Sequence, residues 1–222
     1  MVHKFYQSSI VLWVVALLLS VKVATGQEQV TVEPVGAFAE IETAETLRSM
    51  ETLLGDPSEE RDELIRAMLA SPEQYSPPAL YALSRTLFDS GDQEAGSFWF
   101  YAAQLRGQFD ANRCVDPTAR QALVVLDQRF GGPINQHMVE NLGRLKKLIP
   151  EVIEWNRKTP HDYDHRWINL HGMEAVMASL SDGTDTEKPL SAPEDEWPEI
   201  AEQTRQDYLN AFNTAIESLE KQ

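Results

Sequence analysis

Ser76-Pro77-Pro78-Ala79-Leu80-Tyr81-Ala82-Leu83-Ser84-Arg85-Thr86-Leu87-Phe88-Asp89-Ser90-Gly91-Asp92 opens the stretch that decides the fold. Ser76-Pro77 is a helix start, because proline suits a first helical position where no N–H is needed. Leu80, Leu83, Leu87 and Phe88 then recur at helical spacing. Asp89-Ser90-Gly91 turns the chain, and Asp92 caps a second helix through Phe98, Trp99, Ala102 and Leu105. Phe98-Trp99-Phe100-Tyr101 sets four aromatics around one helical turn. They cannot all face one way, so this helix is expected at the centre of the core.

The same grammar extends outward in both directions. Upstream, Phe38, Ile41, Leu47, Met50 and Leu54 fall on one helical stripe closed by Gly55. Asp56-Pro57-Ser58-Glu59 then reads as a capping box, with Asp56 as cap, for a helix burying Leu64, Ile65, Met68 and Leu69. Downstream, Asp116-Pro117 opens a helix with Ala119, Leu123, Leu126 and Phe130, stopped by Gly131-Gly132-Pro133. The next carries Met138, Leu142, Leu145 and Ile149, and Pro150 is expected to bend the path into a short helix around Val152, Ile153 and Trp155. Thr159-Pro160 starts another through Trp167, Ile168, Val176, Met177 and Leu180. Only Val30-Thr31-Val32 hints at a strand. The expectation is an all-α fold, an irregular array of antiparallel helical hairpins with eight to nine helices, repeat-like in the middle.

Residues 27–180 form the expected helical domain. Residues 181–197 are polar, acidic and proline-bearing, and read as an exposed linker. Residues 198–222 form a C-terminal amphipathic helix with Tyr208, Phe212, Ala215, Ile216 and Leu219 on the face expected to dock on the body. Residues 1–26 have the order of a secretory signal: His3 and Lys4, the apolar run Ile10–Leu19, then Ala24-Thr25-Gly26 at a cut. That run is about half of the ~20 residues that span a bilayer. The expected address is secreted or periplasmic, with cleavage after Gly26 and no stable membrane insertion afterwards.

The chain has 19 Lys and Arg against 35 Asp and Glu, a net charge of −16. Loss of Lys4 and Lys22 with the leader would make the mature protein more acidic still. Such a field repels phosphates, so nucleic acid is not an expected partner, while a basic protein is. Cys114 is the single cysteine. It has no intrachain partner, and reads as a buried small hydrophobe or as half of an intermolecular disulfide.

Between Pro78 and Ala103, the spacing of Leu83, Leu87, Gly91, Phe100 and Ala103 resembles one tetratricopeptide or Sel1-type helical hairpin. Ser84 and Gly96 stand where those repeats carry small Gly and Ala, and Gln108 where proline is common. No second copy follows at a matching period, so a repeat array is not implied. The resemblance implies protein or peptide binding. The tract from Phe98 to Met173 is also similar to exported bacterial proteins of unassigned role, a resemblance that implies no function.

One stretch could carry chemistry. His161-Asp162-Tyr163-Asp164-His165 is the densest group of metal-ligand types, with His171 and Glu174 following. On a helix, two histidines four apart share a face and can meet one ion. This spacing resembles that of zinc metalloproteases, but Asp162 stands where their general-base Glu would be. His161, Asp164 and His165 are therefore the candidate ligands of a divalent metal such as zinc, with His137 a further candidate and Asp162 or Glu174 as base of a hydrolase. The structural alternative makes Thr159-Pro160-His161-Asp162 a helix cap with Arg166 paired to Asp162. No P-loop, dinucleotide-binding glycine pattern or Gly-x-Ser-x-Gly elbow is present in the sequence. The leading expectation is a non-enzymatic protein without a cofactor that binds another protein, with an inhibitory or immunity-like role toward a basic partner. The alternatives are the metal-dependent hydrolase and a small-ligand carrier with its pocket among Trp99, Trp155 and Trp167.

Overall fold

The computed structural model describes residues 33–181 and 188–221. The expected leader, its cut after Gly26 and Val30-Thr31-Val32 lie outside the described residues. Nine α-helices occur among the described residues: α1 Ala44–Leu54, α2 Glu59–Ala70, α3 Pro77–Asp89, α4 Gln93–Arg113, α5 Gln121–Phe130, α6 Gly132–Glu140, α7 Leu142–Lys158, α8 Met173–Leu180 and α9 Trp197–Leu219. Five 3-10 turns join them, at Gly36–Glu40, Pro72–Gln74, Pro117–Arg120, His165–His171 and Glu194–Glu196. The fold is all-α, and the β-pairing among the described residues is one antiparallel bridge between Cys114 and Ser191. No described helix is long and apolar enough to cross a membrane.

The α3–α4 hairpin is the centre, as the turn chemistry predicts. Gly91 has φ of 99°, a left-handed conformation that a residue with Cβ adopts only under strain. The Asp92 N–H reaches back to the Leu87 carbonyl at 3.0 Å, and the Asp92 carboxylate accepts from the Ala95 N–H at 3.0 Å. Around α4 pack α3, α5, α6, α7 and α9. Phe100, Ala102, Ala103 and Leu105 are fully buried, so the aromatic turn does lie in the core. Tyr81 of α3 packs edge-on against Phe100 at 5.5 Å and donates to Asp127 of α5 at 2.7 Å. Gln104 of α4 donates to the same carboxylate and accepts from the Tyr208 hydroxyl of α9 at 2.7 Å. This polar chain ties four helices together inside an apolar core.

Gly96 explains how closely the hairpin closes. A Cβ there would lie 2.7 Å from both the backbone nitrogen and the Cβ of Phe88. Backbone cannot rotate away as a side-chain tip can, so Gly96→Ala must push α3 and α4 apart. The expected cost is about 1–3 kcal/mol by chemical denaturation. A neutral substitution would mean the helices do not approach this closely.

Several local expectations need correction. Phe38 and Ile41 do not continue α1. Phe38 lies on a separate 3-10 turn that Ile41 follows, and both pack with Ala175 of α8 in a small second cluster. On α1 the buried residues are Ser49 and Leu53, so Leu47 and Leu54 face outward. Ser58, not Asp56, caps α2 by accepting from the Arg61 N–H. Pro150 does not end its helix, because α7 runs through it. Leu148, Ile149, Val152 and Ile153 are buried on either side, and their burial outweighs the local loss of one helical hydrogen bond.

The chain from Pro160 to Asp164 is not helical, contrary to the reading of Thr159-Pro160 as a helix start. Asp164, rather than Thr159, caps the following 3-10 turn by accepting from the Arg166 N–H at 3.0 Å. Nor are residues 188–197 a free linker. Val115 donates its N–H to the Leu190 carbonyl at 3.2 Å, and Ala192 donates to the Arg113 carbonyl at 2.8 Å. Within this segment Pro193–Glu196 are exposed, whereas Leu190, Ser191, Ala192 and Trp197 are half-buried. Helix α9 then docks on α4 and α7, burying Tyr208, Phe212, Ala215 and Ile216.

Candidate functional site

Along α4, Arg106, Asp110 and Arg113 follow at intervals of four and three, which puts them on one helix face. All three are buried. The Asp110 carboxylate receives three donors: Arg113 Nη2 at 2.6 Å, Trp167 Nε1 at 2.8 Å and the Tyr163 hydroxyl at 3.1 Å. Among the described residues, no carboxylate is in hydrogen-bond contact with Arg106. It donates instead to the Pro72 carbonyl at 3.3 Å and the Pro160 carbonyl at 2.9 Å, with its guanidinium 4.5 Å from the Trp155 ring. Arg113 lies between the Phe109 and Trp197 rings, at 4.3 Å and 4.6 Å. The row therefore anchors three separate segments on α4: the 72–74 turn, residues 160–171 and the 188–197 return. Buried charges of this kind persist because each is paired or faces an aromatic ring or a carbonyl.

The candidate metal ligands sit around this row but not together. His161 packs on Phe109 at 5.3 Å, with a ring nitrogen 3.5 Å from Asn156 Nδ2. Asp164 is held by Arg166 at 2.8 Å and accepts from the Glu42 N–H. His165 Nε2 lies 2.9 Å from Ser191 Oγ, and its ring meets Trp197 edge-on at 4.8 Å. His137 packs against Phe88 instead. The shared helix face assumed for His161 and His165 does not exist, because the chain between them is irregular. Burial, then the guanidiniums of Arg106, Arg113 and Arg205, push the His161 imidazole down to about 3. Burial and Arg113 push His165 down to about 4, against the pull of Asp164. A cation near either ring would meet the same positive field. Among the described residues no group of three or more His, Cys, Asp or Glu side chains is placed to hold a metal ion.

The three tryptophans also divide. Trp99 and Trp155 meet edge-to-face at 5.3 Å with Phe98 beside them, whereas Trp167 belongs to the Asp110 network. A shallow groove of about 380 Å³ lies elsewhere, beside His165, with Ala37, Arg166, Leu190, Ser191 and Trp197 in its lining. Cys114 is half-buried behind it. Its sulfur accepts from Asn169 Nδ2 at 3.1 Å, and burial pushes the thiol up to about 11, which makes it a poor nucleophile.

Sequence reasoning passed over Arg106, Asp110, Arg113, Ser191 and Trp197. The first three carry a legible signal: charges at i, i+4 and i+7 on a helix that is apolar all round must be buried and partnered. Ser191 and Trp197 carry none, since their segment has no apolar periodicity. The chain matches no protein-family model, and neither a curated protein nor a solved structure matches it.

Proposed function

We propose that the protein acts by binding another protein, that the partner is basic, and that the docking face is the outer side of the α1–α2 hairpin. The observation that carries this reading is the exposure of three leucines there. Leu47 is 63% exposed, Leu54 40% and Leu69 43%. Leu47 and Leu54 are two turns apart on one face of α1, so their exposure is a stripe and not scatter. Exposed Glu45, Glu51, Glu59, Glu60, Asp62 and Glu63 lie on the same two helices, against Arg48, Arg61 and Arg66. Exposed leucines on an acidic hairpin suit a basic surface with its own apolar ridge. The leucines supply buried area, while the charges speed encounter and select the partner's sign.

An inhibitory or immunity-like role is the form of binding that fits this acidity, and the secreted or periplasmic address expected from residues 1–26 belongs to the same reading. Affinity capture at low and at high salt tests it. The proposal expects a basic protein retained at low salt and released several-fold faster at high salt. Retention of acidic or neutral proteins alone, indifferent to salt, contradicts it.

A further inference from the structure

We propose that Ser191 and His165 form a nucleophile–base pair in the groove, acting on small esters. The first observation is the 2.9 Å contact between Ser191 Oγ and His165 Nε2. That is the reach a base needs to take a hydroxyl proton. With the ring protonated at Nδ1, the hydroxyl donates to Nε2.

The second observation is the backbone around Ser191. The bonds Val115 N–H to Leu190 carbonyl and Ala192 N–H to Arg113 carbonyl flank the Cys114–Ser191 bridge. Ser191 and Cys114 are thus a non-hydrogen-bonded pair, and the Ser191 N–H points to the opposite edge. No described residue accepts from it. It is the donor available to an oxyanion formed on a substrate attached at its own Oγ. The third observation is the setting. The pair lines an open groove with apolar walls at Ala37, Leu190 and Trp197, and with Glu194 and the Asp164-paired Arg166 also in its lining. Walls of this kind suit a small ester without a charged end.

The chemistry closes without a co-reactant other than water. Ser191 Oγ bonds to the ester carbonyl carbon as its proton passes to His165 Nε2, and the carbonyl π pair moves to oxygen. The pair returns, the carbon–alkoxide bond breaks, and Nε2 gives its proton to the departing alkoxide. Water then repeats the sequence on the acyl-serine, releasing the acid and restoring the hydroxyl. Trp197, packed against the ring at 4.8 Å, is a positioning residue for His165.

This proposal is independent of the α1–α2 docking face. Its test is intact-mass and peptide-mapping analysis after incubation with an alkyl fluorophosphonate. On this probe the same attack expels fluoride and leaves a stable phosphonyl-serine. The expected result is one adduct, mapped to Ser191, absent from Ser191→Ala and formed about a hundredfold more slowly by His165→Gln. Mapping on the unaltered chain holds even if a variant misfolds. No adduct, an adduct on another residue, or an equal rate in folded His165→Gln overturns it.

Discussion

Asp110→Ala is expected to destabilise the protein by about 3–5 kcal/mol, the range for breaking a buried ion pair by removing one partner. The alanine would leave the Arg113 charge buried without its carboxylate. It would also strand the Trp167 N–H and the Tyr163 hydroxyl, both of which donate to Asp110. Burial raises the Asp110 carboxyl above its ordinary value, and Arg113, Trp167 and Tyr163 together pull it back. Asp110→Asn keeps an acceptor for Trp167 while removing the charge, so it should fall between alanine and the native residue. For a chain of this size the alanine loss corresponds to a fall in Tm on the order of 10 °C. A loss below about 1 kcal/mol for alanine would mean that the row on α4 does not anchor the 160–171 segment.

Acid should destabilise the protein through His161, and His161→Phe should remove that share. The imidazole titrates near 3 when folded, against 6.5 ordinarily, because burial and three guanidiniums disfavour its charge. Below pH 6.5 the unfolded chain takes up this proton and the folded chain does not. Stability therefore falls as pH drops, by up to about 1.4 kcal/mol per pH unit for this one group, until pH reaches the folded value. His165, held near 4, acts in the same direction over a shorter window. Asp127 opposes both. Burial lifts it to about 6 from 3.8, so between those values the folded state holds the extra proton and gains stability as pH falls. The comparison with His161→Phe isolates one group from this sum. Urea unfolding at pH 7, 6 and 5 should give a variant profile flatter than the native one, by about 0.7 kcal/mol between pH 7 and 6 and about 1.2 kcal/mol between pH 6 and 5. Parallel profiles would show that His161 is protonated as readily in the folded chain as in the unfolded one.

The parts of this fold that could be read in advance are those where local chemistry and burial agree. Ser76-Pro77, Gly91 and Asp92 have the conformations their residue types favour, and the α9 stripe of Tyr208, Phe212, Ala215 and Ile216 is the one that docks. The errors fall where tertiary contacts override local preference. Pro150 sits on the exposed side of a helix held from its other side by Ile149, Val152 and Ile153. Thr159-Pro160 has the composition of a helix start, yet Arg106 takes the Pro160 carbonyl and the Asp162 N–H donates to the Glu73 carbonyl. Those long-range bonds keep the segment extended, and with it the helical spacing of His161 and His165 loses its meaning. The His165–Ser191 pair joins residues 26 apart in sequence through a segment with no periodic pattern. Pairing of that kind is set by the bridge to Cys114, which no local reading of residues 181–197 contains.

The proposed docking face concerns leucines that the fold leaves exposed. Leu47→Ser with Leu54→Ser should leave thermal stability nearly unchanged, because neither side chain is in the core. Val125→Ser, at a 60% exposed position on α5, serves as the matched control. The measurement is retention of the proposed basic partner from low-salt capture by the double variant, the control and the native chain. The expected result is at least a tenfold loss for the double variant, about 1.4 kcal/mol or more, with the control retained like the native protein. Equal retention by all three, with all three folded, would contradict it.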